Sequence, residues 1–138
     1  MLDADVIVAA SRSSTGASRA LLESISGGRG TGLVSVPLFI EYEAVLSRPT
    51  LMAEVGVTPT EVDIILDGLA KILEPVDIHY LWRPILADPF DDMVLETAVN
   101  GQATAIVTFN VKDFGAVPKT FGIKLLQPRE AMKMLRTK

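Results

Sequence analysis

Carboxylate side chains stand at the start or the end of several apolar segments in this sequence. They are Asp3, Asp5, Glu41, Asp88, Asp91, Asp92 and Asp113. In an α/β fold, the ends of strands and the starts of helices meet at one side of the sheet, so these acids can gather there. A set of ligands made only of oxygen atoms suits Mg²⁺ or Mn²⁺ and does not suit zinc. The pattern predicts a divalent-metal site.

The same acids also have a purely structural interpretation. Asp88 can be the N-cap of a helix, and Asp91 an acid that the helix dipole stabilises. Asp113 can belong to a turn. Glu41 can be a solvated helix residue, and the helical period does not separate it from Glu43. The local sequence leaves both interpretations open.

Asp3 is harder to explain as structural alone. A carboxylate at the mouth of a buried strand is costly unless it is hydrogen-bonded, paired or bound to a cation. No basic residue lies near Asp3 in the sequence. If the first strand begins at Leu2, Asp3 and Asp5 point to the same face of the sheet.

Composition excludes several classes of protein and site. The chain has 138 residues, 49% of them hydrophobic and 22% charged, which predicts one globular domain, residues 1–138. It has no cysteine, which excludes disulfides and thiol catalysis, and a single histidine is too little for a histidine-based metal cluster. No membrane span and no secretory signal are expected, so a cytoplasmic location is predicted. The net charge of −4 argues weakly against a nucleic-acid partner, although bound cations can reverse the sign locally.

Apolar runs and helical periodicity alternate along the chain. The predicted strands cover residues 6–10, 32–36, 75–78, 105–108 and 123–126, with a polar loop at 109–113. Helices are predicted around residues 20–25, 37–48, 58–69, 89–100 and 128–134. Thr58 and Glu61 have the spacing of a capping box. The alternation predicts an α/β fold, a three-layer α/β/α sandwich with a mainly parallel central sheet.

Four short motifs follow one another in an order that resembles a known family. They are Leu2-Asp3-Ala4-Asp5-Val6-Ile7-Val8, Pro37-x-x-x-Glu41-Tyr42-x-x-Val45-Leu46-x-Arg48-Pro49, Asp88-Pro89-x-Asp91-Asp92 and Val107-Thr108-x-Asn110-x-x-Asp113-Phe114. The series resembles PIN-domain proteins, above all the bacterial branch of toxin components similar to VapC-type toxins. The resemblance spans the chain from Asp3 to about Arg129.

The resemblance implies roles for individual residues. The acids that match the family's catalytic and metal-binding positions are Asp3, Glu41, Asp91 and Asp113, with Glu41 preferred to Glu43 because it precedes the tyrosine. The supporting residues are Asp5, Asp88, Asp92, Thr108 and Asn110. The family commonly has Asp-Thr-Asn where this chain has Asp3-Ala4-Asp5, so a hydroxyl is lost and a carboxylate gained.

The resemblance also implies an activity. A PIN-type enzyme of this kind is expected to hydrolyse single-stranded RNA with Mg²⁺ or Mn²⁺, to form a homodimer and to be inhibited by an antitoxin protein. The helical residues 20–25 and 62–69 could form the dimer interface, although core packing explains the same residues equally well. Candidate contacts to RNA phosphates are Arg12, Arg19, Arg83 and Lys112.

Two other hypotheses remain open from the sequence. A haloacid-dehalogenase-type phosphatase would use Asp3 as a nucleophile, since Asp3-Ala4-Asp5-Val6 is similar to the nucleophile strand of that family. A catalytically idle binding module would keep the fold and the protein partner but cleave nothing. The phosphatase would form a phosphoaspartate at Asp3, whereas the idle module would bind metal weakly.

Overall fold

Helices and short parallel strands alternate along the chain in the computed structural model, which describes residues 1–79 and 89–136. The helices are α1 Ala4–Arg12, α2 Ala17–Ser26, α3 Val36–Leu46, α4 Pro49–Val55, α5 Pro59–Ile72, α6 Pro89–Asn100, α7 Val111–Phe114, α8 Val117–Thr120 and α9 Pro128–Arg136. The strands are β1 Gly32–Val34, β2 Leu73–Pro75, β3 Ala105–Val107 and β4 Lys124–Leu126. The predicted α/β alternation is therefore present.

The strands pair in parallel over short lengths. Within the described ranges, β1 pairs with β2 and β3 pairs with β4, giving two two-stranded sheets. The first residues of the chain join β3 on its other edge, where Leu2 forms a parallel bridge to Val107. The backbone N–H of Asp3 donates to the Val107 carbonyl at 2.9 Å. Asp3 is therefore held at the carboxyl end of a strand-like segment.

The predicted strand at residues 6–10 is wrong, because these residues belong to helix α1. Val6, Ile7 and Ala10 lie on the buried face of α1, a spacing that suits a helix as well as a short buried run. Residues 1–3 occupy the position beside β3, and Asp3 caps the helix that follows. Packing against α2 and α3 thus overrides the β propensity of the valines and isoleucine.

Other boundaries also differ from the prediction. The strand predicted at residues 75–78 corresponds to β2, which covers Leu73–Pro75 instead. In β2, Leu73 pairs with Gly32 of β1. The predicted loop 109–113 contains the helical turn α7, and α4 and α8 were not predicted. The predicted N-cap Asp88 lies outside the described residues.

The caps and the core follow the sequence more closely. Thr58 and Glu61 form the predicted capping box at the start of α5. Helix α3 buries Leu38, Tyr42 and Leu46 in the core. The hydroxyls of Ser35 and Thr97 hydrogen-bond at 2.6 Å and link the start of α3 to α6. Among residues 1–79 and 89–136, no helix has the length and apolar character that crossing a membrane requires.

The capping box gives a test of the fold. Thr58→Ala should lower the free energy of unfolding by about 1 kcal/mol, because the N–H of Glu61 loses its side-chain acceptor. A loss of that size corresponds to a fall of about 4 °C in Tm, measurable by calorimetry. Thr60→Ala, an exposed change on the same helix turn, is the matched control and should not lower Tm. Equal Tm values for the two variants would contradict the role of the cap.

Candidate metal centre

Asp3 is both a helix cap and the first carboxylate of the site. Its Oδ1 accepts a hydrogen bond of 2.7 Å from the backbone N–H of Ala4. Its Oδ2 accepts one of 2.8 Å from the Thr108 hydroxyl. The cap orients the carboxylate, and Thr108, which directly follows β3, ties it to the end of the sheet. The structural and functional interpretations of Asp3 are therefore compatible.

Asp5 lies in the first turn of α1, close to the N-cap Asp3, and is held by residues 108–110. Its Oδ2 accepts hydrogen bonds from the Phe109 backbone N–H at 3.0 Å and from Asn110 Nδ2 at 3.1 Å. The Thr108 hydroxyl lies 3.3 Å from the same oxygen. Asp5 Oδ1 is buried and has no hydrogen-bond partner among the described residues. One oxygen of Asp5 is thus fixed, while the other is left for a ligand.

The proximity of the two carboxylates has an electrostatic cost. Burial, and to a lesser extent the nearby negative charge of Asp3, raise the pKa of Asp5 from 3.8 to about 6. Hydrogen bonds from Phe109 and Thr108 act in the opposite direction without cancelling the rise. A cation between the two groups would remove the repulsion.

Tyr42 anchors the segment that carries the pair. Its side chain is fully buried, and its hydroxyl donates to the Leu2 carbonyl. Burial raises the pKa of Tyr42 well above its ordinary value, and the charges of Asp3 and Asp5 act in the same direction. Tyr42 therefore remains a neutral donor that holds the chain just before Asp3. From the sequence, Tyr42 served only to distinguish Glu41 from Glu43.

A cavity of about 730 Å³ surrounds the pair, and we call it the carboxylate cavity. The predicted site residues that line it are Asp3, Asp5, Arg12, Glu41, Asp91, Asn110 and Asp113. Glu41 lines it from α3, whereas Glu43 is exposed and does not. The described residues contain no group of three or more acidic or histidine side chains close enough to hold one ion. The acids therefore share a cavity without converging on a single point.

The remaining predicted residues lie elsewhere. Asp92 is buried, at 3% exposure, and does not line the cavity. Arg19 donates to the Ala10 carbonyl at 3.0 Å, and Lys112 is exposed outside the cavity wall. Asp88 and Arg83 lie outside the described residues.

The cations at the cavity rim include Arg48, which belongs to one of the family motifs but was given no role from the sequence. Arg12 forms an ion pair of 3.1 Å with Glu54, and both side chains are largely exposed. Arg48 also lines the cavity and is exposed. It lies just before Pro49, at the N-cap position of α4, and local sequence carries no signal that it faces the acids. Phe109, which is 46% exposed, lines the cavity as well.

The donor set fits a hard divalent cation. Within residues 1–79 and 89–136, the buried Asp5 Oδ1 has no hydrogen-bond partner, and it belongs to a pair of acids whose mutual repulsion favours a positive charge. Carboxylate oxygens are the usual ligands of Mg²⁺ and Mn²⁺. Glu41, Asp91 and Asp113 are further oxygen donors on the walls of the same cavity.

The sequence matches a known family over most of its length. The family described as PIN domain matches residues 1–112, so the chain is a member of the PIN-domain family. No curated protein and no solved structure matches the chain. PIN domains are generally nucleases, which hydrolyse phosphodiester bonds. This membership argues against the haloacid-dehalogenase-type phosphatase.

The raised pKa of Asp5 predicts a pH-dependent stability of the metal-free protein. The folded-state pKa of about 6 exceeds the ordinary 3.8, so the folded state binds the proton more tightly. The stabilisation of the folded state by the proton on Asp5 is fully present below pH 3.8 and is lost as pH rises through about 6. We therefore compare the unfolding free energy of Asp5→Asn with that of the parent at each pH. This difference should favour the variant by roughly 1 kcal/mol more at pH 7.5 than at pH 4, after allowance for solvent screening.

Urea unfolding in EDTA at the two pH values measures this difference. Asp67→Asn, an exposed change on α5, is the control and should change stability equally at both pH values. If Asp5→Asn behaved like Asp67→Asn, the raised pKa of Asp5 would be refuted.

Proposed function

We propose that this protein is a metal-dependent endoribonuclease that hydrolyses single-stranded RNA and is the toxin component of a toxin–antitoxin pair. Membership of the PIN-domain family supports the nuclease class. The observation that carries the proposal is the Asp3–Asp5 pair at the carboxylate cavity, in which a buried carboxylate oxygen has no hydrogen-bond partner among the described residues. A structural cap alone does not require the second carboxylate.

In this proposal Asp3 and Asp5 hold one Mg²⁺ or Mn²⁺ ion through their oxygens. Thr108 and Asn110 position these carboxylates through hydrogen bonds, which fix the direction of each group. Such outer contacts commonly orient metal ligands. Asp91 and Asp113, on the walls of the cavity, are the further acids that would complete the ligand set or hold a second ion.

The chemistry is hydrolysis of a phosphodiester bond. The bound ion supplies a Lewis acid that lowers the pKa of water and stabilises negative charge developing on the phosphate. In this proposal Glu41, which lines the cavity from α3, orients the attacking water and accepts its proton. Arg12 and Arg48 at the rim would contact RNA phosphates and offset the acidic character of the cavity.

The toxin assignment adds expectations about assembly. An antitoxin segment would occlude the carboxylate cavity, and its basic residues would pair with the acids that line it. We further propose a homodimer, a cytoplasmic location and a three-layer α/β/α arrangement for the complete domain. Size-exclusion chromatography with light scattering tests the dimer directly.

One observation favours a second candidate, the catalytically idle binding module. The acids of the described segments do not form a cluster of three, and Asp5 stands where the family commonly has asparagine. If the extra carboxylate prevents productive metal binding, the protein would keep the fold and lose the activity. Cleavage assays separate the two functions.

Removal of a single acid should abolish cleavage without unfolding the protein. Asp113→Asn is the sharpest variant, because Asp113 is exposed and its loss leaves the core intact. We expect cleavage of a labelled single-stranded RNA in Mg²⁺ or Mn²⁺ to fall by at least about 100-fold, and EDTA to stop it. Asp63→Asn, an exposed acid on α5, is the control. Unchanged rates for Asp113→Asn would remove it from the site, and no cleavage by the parent would favour the idle module.

Metal binding has a readout that does not depend on activity. Mn²⁺ at about 100 times its Kd should stabilise the parent by about 2.7 kcal/mol, which raises Tm by several degrees. Asp3→Asn keeps a side chain that can cap α1 but loses the negative charge, so the Mn²⁺-dependent rise should largely disappear. Asp63→Asn should retain it. An equal rise in all three proteins would exclude Asp3 as a ligand.

A further inference from the structure

A second cavity, of about 310 Å³, adjoins the carboxylate cavity. The two cavities share Ala9 and Phe109 in their walls. Ser18 and Arg129 are among the other residues that line the second cavity. A strand of RNA that lies over the carboxylate cavity would therefore reach the second one by passing Phe109. The proposed function does not yet assign a role to this cavity.

The N-terminus of α2 opens into the second cavity. Gly16 is its N-cap and offers no side-chain acceptor, so the first N–H groups of the helix have no side-chain cap. The helix is ten residues long, and the positive end of its dipole lies among residues that line the cavity. These features favour an anion, although a helix N-terminus alone does not define a site.

Ser18 is a second, independent observation. Its side chain is 4% exposed, and its Oγ has no hydrogen-bond partner in the described parts of the chain. A buried hydroxyl without a partner is costly, and a ligand oxygen in the cavity would relieve that cost. Because a hydroxyl can donate to an anionic oxygen, Ser18 adds a donor to the uncapped N–H groups.

Arg129 supplies a positive charge to the same cavity. It is exposed and lies in the first turn of α9, where the helix dipole does not favour a cation. Within residues 1–79 and 89–136, the one ion pair present joins Arg12 to Glu54, so Arg129 has no carboxylate partner there. Its charge is thus available to a ligand.

We propose that this second cavity binds a phosphodiester group of the RNA strand that flanks the phosphate at the carboxylate cavity. Ser18, the N-terminus of α2 and Arg129 bind the flanking phosphate, and the half-exposed ring of Phe109 stacks on the nucleobase between the two phosphates. The inference rests on the proposed function, because it takes RNA as the substrate. In this arrangement the RNA strand runs from the carboxylate cavity past Phe109 to the second cavity.

Binding of a short fluorescein-labelled single-stranded RNA, followed by anisotropy in EDTA, tests the subsite apart from cleavage. Arg129→Gln should weaken binding roughly threefold to tenfold and reduce the slope of log Kd against log salt by about 0.7. Arg136→Gln is the matched control: the same change on the same helix, roughly 10 Å further along it and outside the cavity wall. If the two variants bound RNA equally, the subsite would be wrong.

Two further variants test the other walls of the cavity. Ser18→Ala removes only a hydroxyl and should weaken binding about threefold. Phe109→Leu should weaken it roughly tenfold, through lost stacking on a base. Full affinity in both variants would overturn the proposal even if Arg129→Gln were impaired, since Arg129 would then be a general surface charge.

Kinetics separate this proposal from the proposed function. In Mn²⁺, Arg129→Gln should raise KM roughly threefold to tenfold, as it weakens binding. It should leave kcat within about twofold of the parent value, because the residue is remote from the reacting phosphate. If the parent protein cleaves no RNA but Arg129→Gln still binds it more weakly than Arg136→Gln, the nuclease fails and the subsite stands. If the parent cleaves and Arg129→Gln has an unchanged KM, the subsite fails and the nuclease stands.

Discussion

The arrangement of this protein depends on two carboxylates that lie side by side near the start of the chain. Asp3 and Asp5 repel one another, and burial together with that repulsion raises the pKa of Asp5. The Thr108 hydroxyl lies within hydrogen-bond distance of both. A protein can hold like charges together only if neighbouring groups stabilise them or a cation neutralises them. Here the neighbouring groups satisfy three of the four carboxylate oxygens and leave Asp5 Oδ1.

The surrounding elements explain how the pair is held in place. Pairing of residues 1–3 with β3 sets Asp3 at the end of a sheet, and Tyr42 binds the Leu2 carbonyl from α3. The start of α1 favours both negative charges through its dipole. These contacts couple the position of the site to the hydrophobic core, because Tyr42 and Leu2 are themselves buried. Disturbing the core there would displace the acids.

The acidic cavity must still accommodate a polyanion if it cleaves RNA. With a net charge of −4, the protein as a whole does not attract nucleic acid. Arg12 and Arg48 lie at the rim, and cations bound as proposed would add local positive charge where the strand would lie. The phosphate subsite proposed beyond Phe109 adds the positive charge of Arg129. The positive charges would then lie along the proposed path of the RNA strand and would not be spread over the whole surface.

Local sequence determined those features that depend on neighbouring residues alone. The capping box of Thr58 and Glu61, the end of α6 at Gly101 and the order of the acidic motifs were all readable, because each depends on a few consecutive side chains. The tertiary structure decided that residues 6–10 form a helix, since residues 1–3 take the place beside β3.

Tertiary packing also decided which side chains share a cavity. Periodicity could not separate Glu41 from Glu43, which flank the same apolar stripe, and only the packing of α3 against α1 places Glu41 in the wall. Ser18 and Arg129 are 111 residues apart in the chain, so no local pattern could join them. Sequence spacing records contacts along one element, whereas a site is built from contacts between elements.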